Sequence, residues 1–182
     1  MQLADPIQID WTDYRYATPD ANRTRLEQLA LHLRAKYYKA STVCEIGSNN
    51  GLYLEALQTQ GFQAYGVDPC ATVGVAAPFS ANLAYGLEPV DLIVANNVFA
   101  HVDNLYDVFT GIDFLLKDEG ALVFEVQYLP AMMRLGAFDM IYHEHRDYHT
   151  LTPWPNFLKR FGLVITDYQH ISTHGGSVRV YC

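Results

Sequence analysis

Short runs that are apolar at most positions, without alternation, are interspersed with stretches that are apolar on one side only, over most of the 182-residue chain. Residues 42–46, 62–67, 91–95 and 121–127 are runs of the first kind, as expected of strands covered on both faces. Between them the apolar spacing is helical. Leu26, Leu29, Ala30 and Leu33 mark one face of a helix over 20–38, a second helix spans 52–60, and Leu105, Val108, Phe109, Ile112, Leu115 and Leu116 mark a third over 104–116, ended by Gly120. Thr152 is placed to cap a further helix beginning near Pro153. Two closing strands, 163–171 and 178–182, are joined through His174-Gly175-Gly176-Ser177, a link too short for a crossover, so they must run antiparallel.

Strands alternating with helices predict an α/β fold on a mostly parallel sheet with right-handed crossovers, closed by an antiparallel hairpin. The pattern thins between Asp68 and Asp91, where Gly74, Pro78, Gly86 and Pro89 interrupt it, so the third strand is expected to be short or missing. Residues 1–40 read as an aromatic lead-in plus a helix, and 41–182 as the ligand-binding domain, the whole forming one globular unit.

Composition narrows the partners. Half the residues are apolar and 18% are charged, which argues against disorder. A net charge of −8 argues against nucleic acid and anionic membrane surfaces. Arg23, Arg25, Arg34, Lys36 and Lys39 lie close together, but Glu27 interrupts them, as on a solvated helix face. Cys44, Cys70 and Cys182 are odd in number and never in C-x-x-C spacing, which excludes a disulfide framework and suits a reducing compartment. With no membrane-spanning run and no signal-peptide pattern at Met1-Gln2-Leu3-Ala4-Asp5, the expected location is cytoplasmic.

The chemistry begins at Val43-Cys44-Glu45-Ile46-Gly47-Ser48-Asn49-Asn50-Gly51, a strand breaking into a glycine-bearing turn and a helix, with Asp68 at the end of the next strand. Glycines admit a ligand close to the backbone, the helix start offers N–H groups, and a carboxylate at the next strand end can accept both ribose hydroxyls. The layout suits an adenosine-bearing cofactor. A nicotinamide dinucleotide calls for G-x-G-x-x-G, and only Gly47 and Gly51 are present. The spacing E-x-G-x-x-x-G resembles motif I of class I S-adenosylmethionine methyltransferases, with Asn49, a residue that tolerates positive φ, in place of the middle glycine. That resemblance implies S-adenosyl-L-methionine as cofactor and a Rossmann-like fold. The expected binding set is Glu45, Gly47, Ser48, Asn49, Gly51 and Asp68, with Asn96 and Asn97 beyond the fourth strand.

Two further segments follow strand ends: Asn96-Asn97-Val98-Phe99-Ala100-His101-Val102, and Ile141-Tyr142-His143-Glu144-His145-Arg146-Asp147-Tyr148. Tyr142 and His145 can each give or take a proton, and Glu144 can orient or stabilise an imidazolium. His143, His145 and His149 around Glu144 also read as metal ligands, but H-E-x-x-H spacing is absent and no cysteine is near, so no metal is expected.

Together with His174-Gly175-Gly176-Ser177-Val178-Arg179-Val180, these segments resemble the catalytic domain of sugar C-methyltransferases, which act on nucleotide-linked 4-keto deoxysugars. The family's E-I-G-S-N-D-G, V-D-P, A-N-N-V-x-A-H-V, Y-H-E-H and H-G-G-S-x-R-V stand here at 45–51, 67–69, 95–102, 142–145 and 174–180, with Asn50 in place of the family's Asp. Family members carry a cysteine-rich zinc-binding domain before this region and a second α/β domain after it. Either this sequence is an excised or minimal version, or its acceptor is expected to be smaller, or held with a partner domain or in a homo-oligomer. The resemblance implies methylation of a carbon alpha to a ketone through an enolate. Tyr142, Glu144 and His145 then match the acid/base cluster, and His101 matches a histidine beside the keto oxygen. His145 or Tyr142 would remove the proton, Glu144 would raise the basicity of His145, and His101 would hydrogen-bond the enolate oxygen. Tyr14, Tyr16, His143, His174 and Gly175 are expected against the acceptor. Two other readings stand beside this one. A small-molecule O- or N-methyltransferase needs no Tyr-His-Glu-His cluster, and a methyltransferase-like scaffold needs no catalysis.

Overall fold

The structure is a computed structural model, and it describes residues 20–182. Seven strands form one sheet: β1 (Thr42–Ile46), β2 (Gln63–Asp68), β3 (Val75–Ala76), β4 (Val90–Asn96), β5 (Leu116–Gln127), β6 (Asp167–Ile171) and β7 (Ser177–Tyr181). Their order is β3-β2-β1-β4-β5-β7-β6. The first five run parallel, and β7 lies antiparallel to both β5 and β6. This is the class I methyltransferase arrangement expected from the alternation and the short terminal link.

Parity along each strand divides the interior. Val43, Leu92, Val94, Val123 and Tyr181 face Leu26, Leu29, Ala30 and Leu33 of α1 (Asp20–Lys36) and Tyr53, Ala56 and Leu57 of α2 (Leu52–Thr59). Cys44, Ile46, Ile93, Ala95, Leu122 and Phe124 face the opposite layer, made by α3 (Ala81–Ala84), α4 (Leu105–Leu115) and α6 (Trp154–Leu158). Its centre is aromatic: the Phe99 ring lies 5.0 Å from Phe109 and 5.2 Å from Phe124, and Trp154 lies 4.8 Å from Phe124. Rings at these separations tie the loop after β4 to the core. Among the described residues no helix is long and apolar enough to cross a membrane.

Several element boundaries differ from the sequence expectation. The third strand exists but is only two residues long, pairing Val67 with Val75 and Asp68 with Ala76. Helix α4, capped by the Asn104 side chain on Asp107 N, ends at Leu115, and Leu116 already pairs with Val90. Gly120 does not end a helix. It sits where the β4–β5 register jumps from Leu116 to Ala121, and a Cβ there would come within 2.8 Å of the Lys117 carbonyl. Thr152 does not cap α6: Pro153 holds the cap position and no side chain caps it. Strand β6 starts only at Asp167. An unforeseen helix, α5 (Leu129–Leu135), follows β5 directly and ends at Gly136 in the left-handed region.

Candidate active site

The parallel strands deliver their carboxyl ends to one edge, and the loops leaving them are interlocked. The β1–α2 turn requires three residues at positive φ: Gly47 (81°), Asn49 (42°) and Gly51 (78°). Asn49 thus occupies the conformation that its place in the motif demanded. Gly47 is held by its N–H on Val67 O at 2.8 Å, and a Cβ on it would fall 2.3 Å from Val98 Cγ2, so the loops after β1 and β4 meet there. Ser48 packs on Gly66 of β2 and is buried. The Asn50 side-chain oxygen accepts from Leu52 N at 3.2 Å, serving the first turn of α2 as a carboxylate would. Asp68 accepts from Asn49 N at 3.1 Å and Cys70 N at 2.6 Å, which anchors its carboxylate at the end of β2.

Behind this turn lies a buried carboxylate without a counter-charge. Glu45 is 4% exposed, and its Oε2 has no hydrogen-bond partner among the described residues. Burial, and then the charge of Asp68, push its pKa well above the ordinary range. Asn96 Nδ2 and Asn97 Oδ1 are also buried without partners among the described residues, and Asn97 takes φ 55°. Unsatisfied buried polar groups cost about 1–3 kcal/mol each, so this edge is built for a polar ligand that carries a cation. A sulfonium amino acid with an adenosine tail meets that requirement: its ammonium suits Glu45, and its ribose suits Asp68. The residues present fit S-adenosylmethionine.

The second half of the site joins the loop after β4 to the segment after α5. His101 Nδ1 donates to Glu144 O at 2.9 Å, and Arg146 N donates to Ala100 O at 2.8 Å. His145 Nδ1 donates to Met140 O at 2.9 Å, and its Nε2 accepts from the Tyr142 hydroxyl at 2.8 Å. A carbonyl can only accept, so both imidazoles carry their proton on Nδ1 when neutral. Burial lowers the pKa of His101, His145, His149 and His174, keeping all four neutral near pH 7. His174 adopts φ 50° and ψ 47° in the turn before β7, and it feels the charges of Arg25, Glu125 and His145. A Cβ on Gly175 would lie 3.2 Å from Ala137 Cβ, where that turn packs against the end of α5.

Two expected roles change. Glu144 does not orient His145 by hydrogen bonding: Met140 O holds that nitrogen, while the Glu144 carboxylate lies 3.5 Å from the exposed His143 and acts on His145 through its charge. Neutral His101 cannot donate from Nε2, because its proton is committed to the Glu144 carbonyl. Among the described residues no group of three or more His, Cys, Asp or Glu side chains forms a metal site. Tyr14 and Tyr16 lie outside the described residues.

Sequence reasoning missed the Met140 carbonyl and a buried ionic group, Arg25, Glu125 and Arg179, in which Glu125 takes both guanidiniums. Their signal was available: Glu125 is the single charge in the buried 121–127 part of β5, and Arg179 is the single charge of β7.

Comparison with known proteins agrees with this geometry. A methyltransferase-domain family model matches residues 14–168. The C-methyltransferase NovU of Streptomyces niveus is 31% identical over 92% of this chain and 44% of its own length. The chain therefore spans less than half of that relative. Magnesium protoporphyrin IX methyltransferase from Synechocystis, with bound S-adenosylhomocysteine, superposes with a TM-score of 0.65 at 16% identity, covering 89% of this chain and 83% of that one. A methyltransferase from Archaeoglobus fulgidus gives 0.63 at 14% identity over 86% and 93%. At such identities the two structures establish the fold. The family match over most of the sequence, with the cofactor-shaped edge described above, makes this chain a member of the S-adenosylmethionine-dependent methyltransferases.

Proposed function

We propose that the chain methylates a carbon alpha to a ketone in a small acceptor of the keto-deoxysugar class. The observation that carries this reading is the Tyr142–His145 hydrogen bond at 2.8 Å, backed by Met140 O and standing beside His101. An oxygen or a neutral nitrogen already carries a lone pair and can lose its proton during or after attack, whereas a carbon has none until a base breaks its C–H bond. The resemblance to the C-methyltransferase NovU supports the same choice.

When bound, the cofactor supplies an electrophilic methyl group on a sulfonium. The protein must therefore make a carbon nucleophile. The α C–H bond breaks, its proton goes to the Tyr142–His145 pair, and its electrons move into the ketone to form an enolate. His145 Nε2 is the acceptor nitrogen of the pair, so it can take the proton directly or take the phenol's as the phenol oxygen receives the new one. Glu144 stabilises the resulting imidazolium by charge. His101 starts as a proton acceptor, and it can donate to the enolate oxygen only if the abstracted proton passes from His145 to its Nε2. A positioned base contributes about 10²–10⁴-fold and an oxyanion donor about 3 kcal/mol. Asp68, Glu45 and the β1–α2 turn orient the cofactor, and His143, His174 and Gly175 contact the acceptor.

The test is exchange. A nucleotide-linked 4-keto deoxysugar incubated in deuterium oxide with the protein and S-adenosylhomocysteine should gain deuterium at the α-carbon, read by mass spectrometry, and Tyr142→Phe should slow the gain. No enzyme-dependent exchange, with the labelled methyl found on oxygen or nitrogen, would overturn the reading.

A further inference from the structure

The α1/α2 face of the sheet carries a polar layer just below the cofactor edge. Asn96, Glu125, Arg179 and Gln169 lie side by side across four strands. Glu125 is fully buried and accepts from Arg179 Nε at 2.8 Å and Nη2 at 2.6 Å, and from Arg25 Nη1 at 3.0 Å. Two guanidiniums share this one carboxylate, which leaves a positive excess at that end of the layer. At the other end Glu45 has no cation among the described residues, and burial favours its neutral form until a cation arrives.

Groups without partners lie in the same layer. Tyr53 OH, Asn96 Nδ2, Gln127 Oε1 and Arg25 Nε are all buried and unsatisfied among the described residues. Tyr53 feels Glu45, Glu125, Arg179 and Arg25 together, and burial raises its pKa, so it remains a neutral donor between the two ends. Buried polar groups left unpaired are costly, so a ligand that supplied a cation near Glu45 and an anion near the guanidiniums would be favoured there. A zwitterion with its cation toward Glu45 and its anion toward the guanidiniums meets both ends. The methionyl end of the cofactor has this form.

We propose that Arg25 of α1 binds the methionyl carboxylate of S-adenosylmethionine. Arg179 is occupied, using Nε and Nη2 on Glu125 and Nη1 on Gln169. Among the described residues Arg25 bonds through Nη1 alone, its side chain is 24% exposed, and Glu125 holds it in place. Helix α1 runs toward β1 with its N-terminal half at the carboxyl edge, as the Arg25–Glu125 and Lys36–Asp167 pairs at its two ends require. The assignment concerns the cofactor and holds for any methyl acceptor.

The experiment compares two ligands by calorimetric titration: S-adenosylmethionine and its decarboxylated form, which lacks only the carboxylate. The wild type should prefer the first by about 10- to 100-fold, the range of a charge-assisted hydrogen bond. Arg25→Met should lose most of that preference by weakening the first ligand alone, and Arg25→Lys should restore part of it. The ratio of two affinities on one variant does not depend on how much protein is folded, and Arg25→Gln reads the same ratio if the Met variant fails to fold. A wild type without preference, a variant that keeps it, or equal weakening of both ligands would overturn the assignment.

Discussion

The imidazoles of His101 and His145 stand 4.8 Å apart, centroid to centroid, with 48° between their planes. Each gives its Nδ1 proton to a backbone carbonyl at 2.9 Å, that of Glu144 for His101 and that of Met140 for His145. Two segments that leave different strands thus present two neutral imidazoles, each with its lone pair on Nε2. Each protonated ring would oppose protonation of the other, and burial opposes both. The pair is set to receive one proton.

Removing the Tyr142 hydroxyl leaves His145 Nε2 without its donor while the backbone anchor at Met140 remains. Tyr142→Phe should therefore lower kcat by about 10²–10⁴-fold and leave cofactor affinity unchanged. Single-turnover methyl transfer and calorimetry check the two halves. Full activity in the variant would remove Tyr142 from the reaction.

Glu45 is a carboxylate whose folded-state pKa is raised, first by burial and then by Asp68, so the fold disfavours its charged form. For a raised acid, stability is lost as pH climbs from the unfolded value through the folded one. Glu45→Gln should accordingly stabilise the ligand-free protein, by about 1–3 kcal/mol, and weaken S-adenosylmethionine binding by about 10-fold or more. Thermal melts with and without ligand should cross. A variant that melts lower in both conditions contradicts this account.

Acid should act through the histidines. His101, His145, His149 and His174 have folded-state pKa values below 6.5, burial being the largest cause in each. Between those lowered values and 6.5 the unfolded chain binds more protons than the folded one, so their contribution to stability rises with pH. It should be complete above about pH 6.5 and fall away below it, with the methyl-transfer rate falling on the same side. Urea midpoints from about pH 7.5 down to about pH 5.5 test the sign, and an unchanged midpoint would count against it.

At Gly47 a methyl group would fall 2.3 Å from Val98 Cγ2 on a residue held at φ 81°. Gly47→Ala should cost about 1–3 kcal/mol and push the β1 and β4 loops apart, lowering cofactor affinity as well. Denaturant titration together with calorimetry measures both effects. Wild-type values for the two would show that the loops do not meet here.

The strands were legible because burial on both faces leaves a mostly apolar run without alternation, whatever covers it. Their ends were not. Leu116 fits the apolar phase of α4 and also opens β5, and only its pairing with Val90 decides between them. Helix α5 was hidden by Pro130, which reads as a breaker yet sits in the first turn, where its missing N–H costs nothing. The backbone demands of the β1–α2 turn were readable in Gly47, Asn49 and Gly51, since positive φ is a property of single residues. Arg25 looked like part of a solvated face because its partner, Glu125, lies a hundred residues away.

From the amino-acid order alone came the alternation of strands and helices, the antiparallel closure, and the loops that carry the reactive side chains. These follow from periodicity, link length and backbone preference, all set within a few residues. The fold decided where the protons sit on His101 and His145, which buried carboxylate has no cation among the described residues, and which two arginines share Glu125. Those depend on carbonyls and charges contributed by distant segments, and they exist only once β4, β5, β7 and α1 have packed against one another.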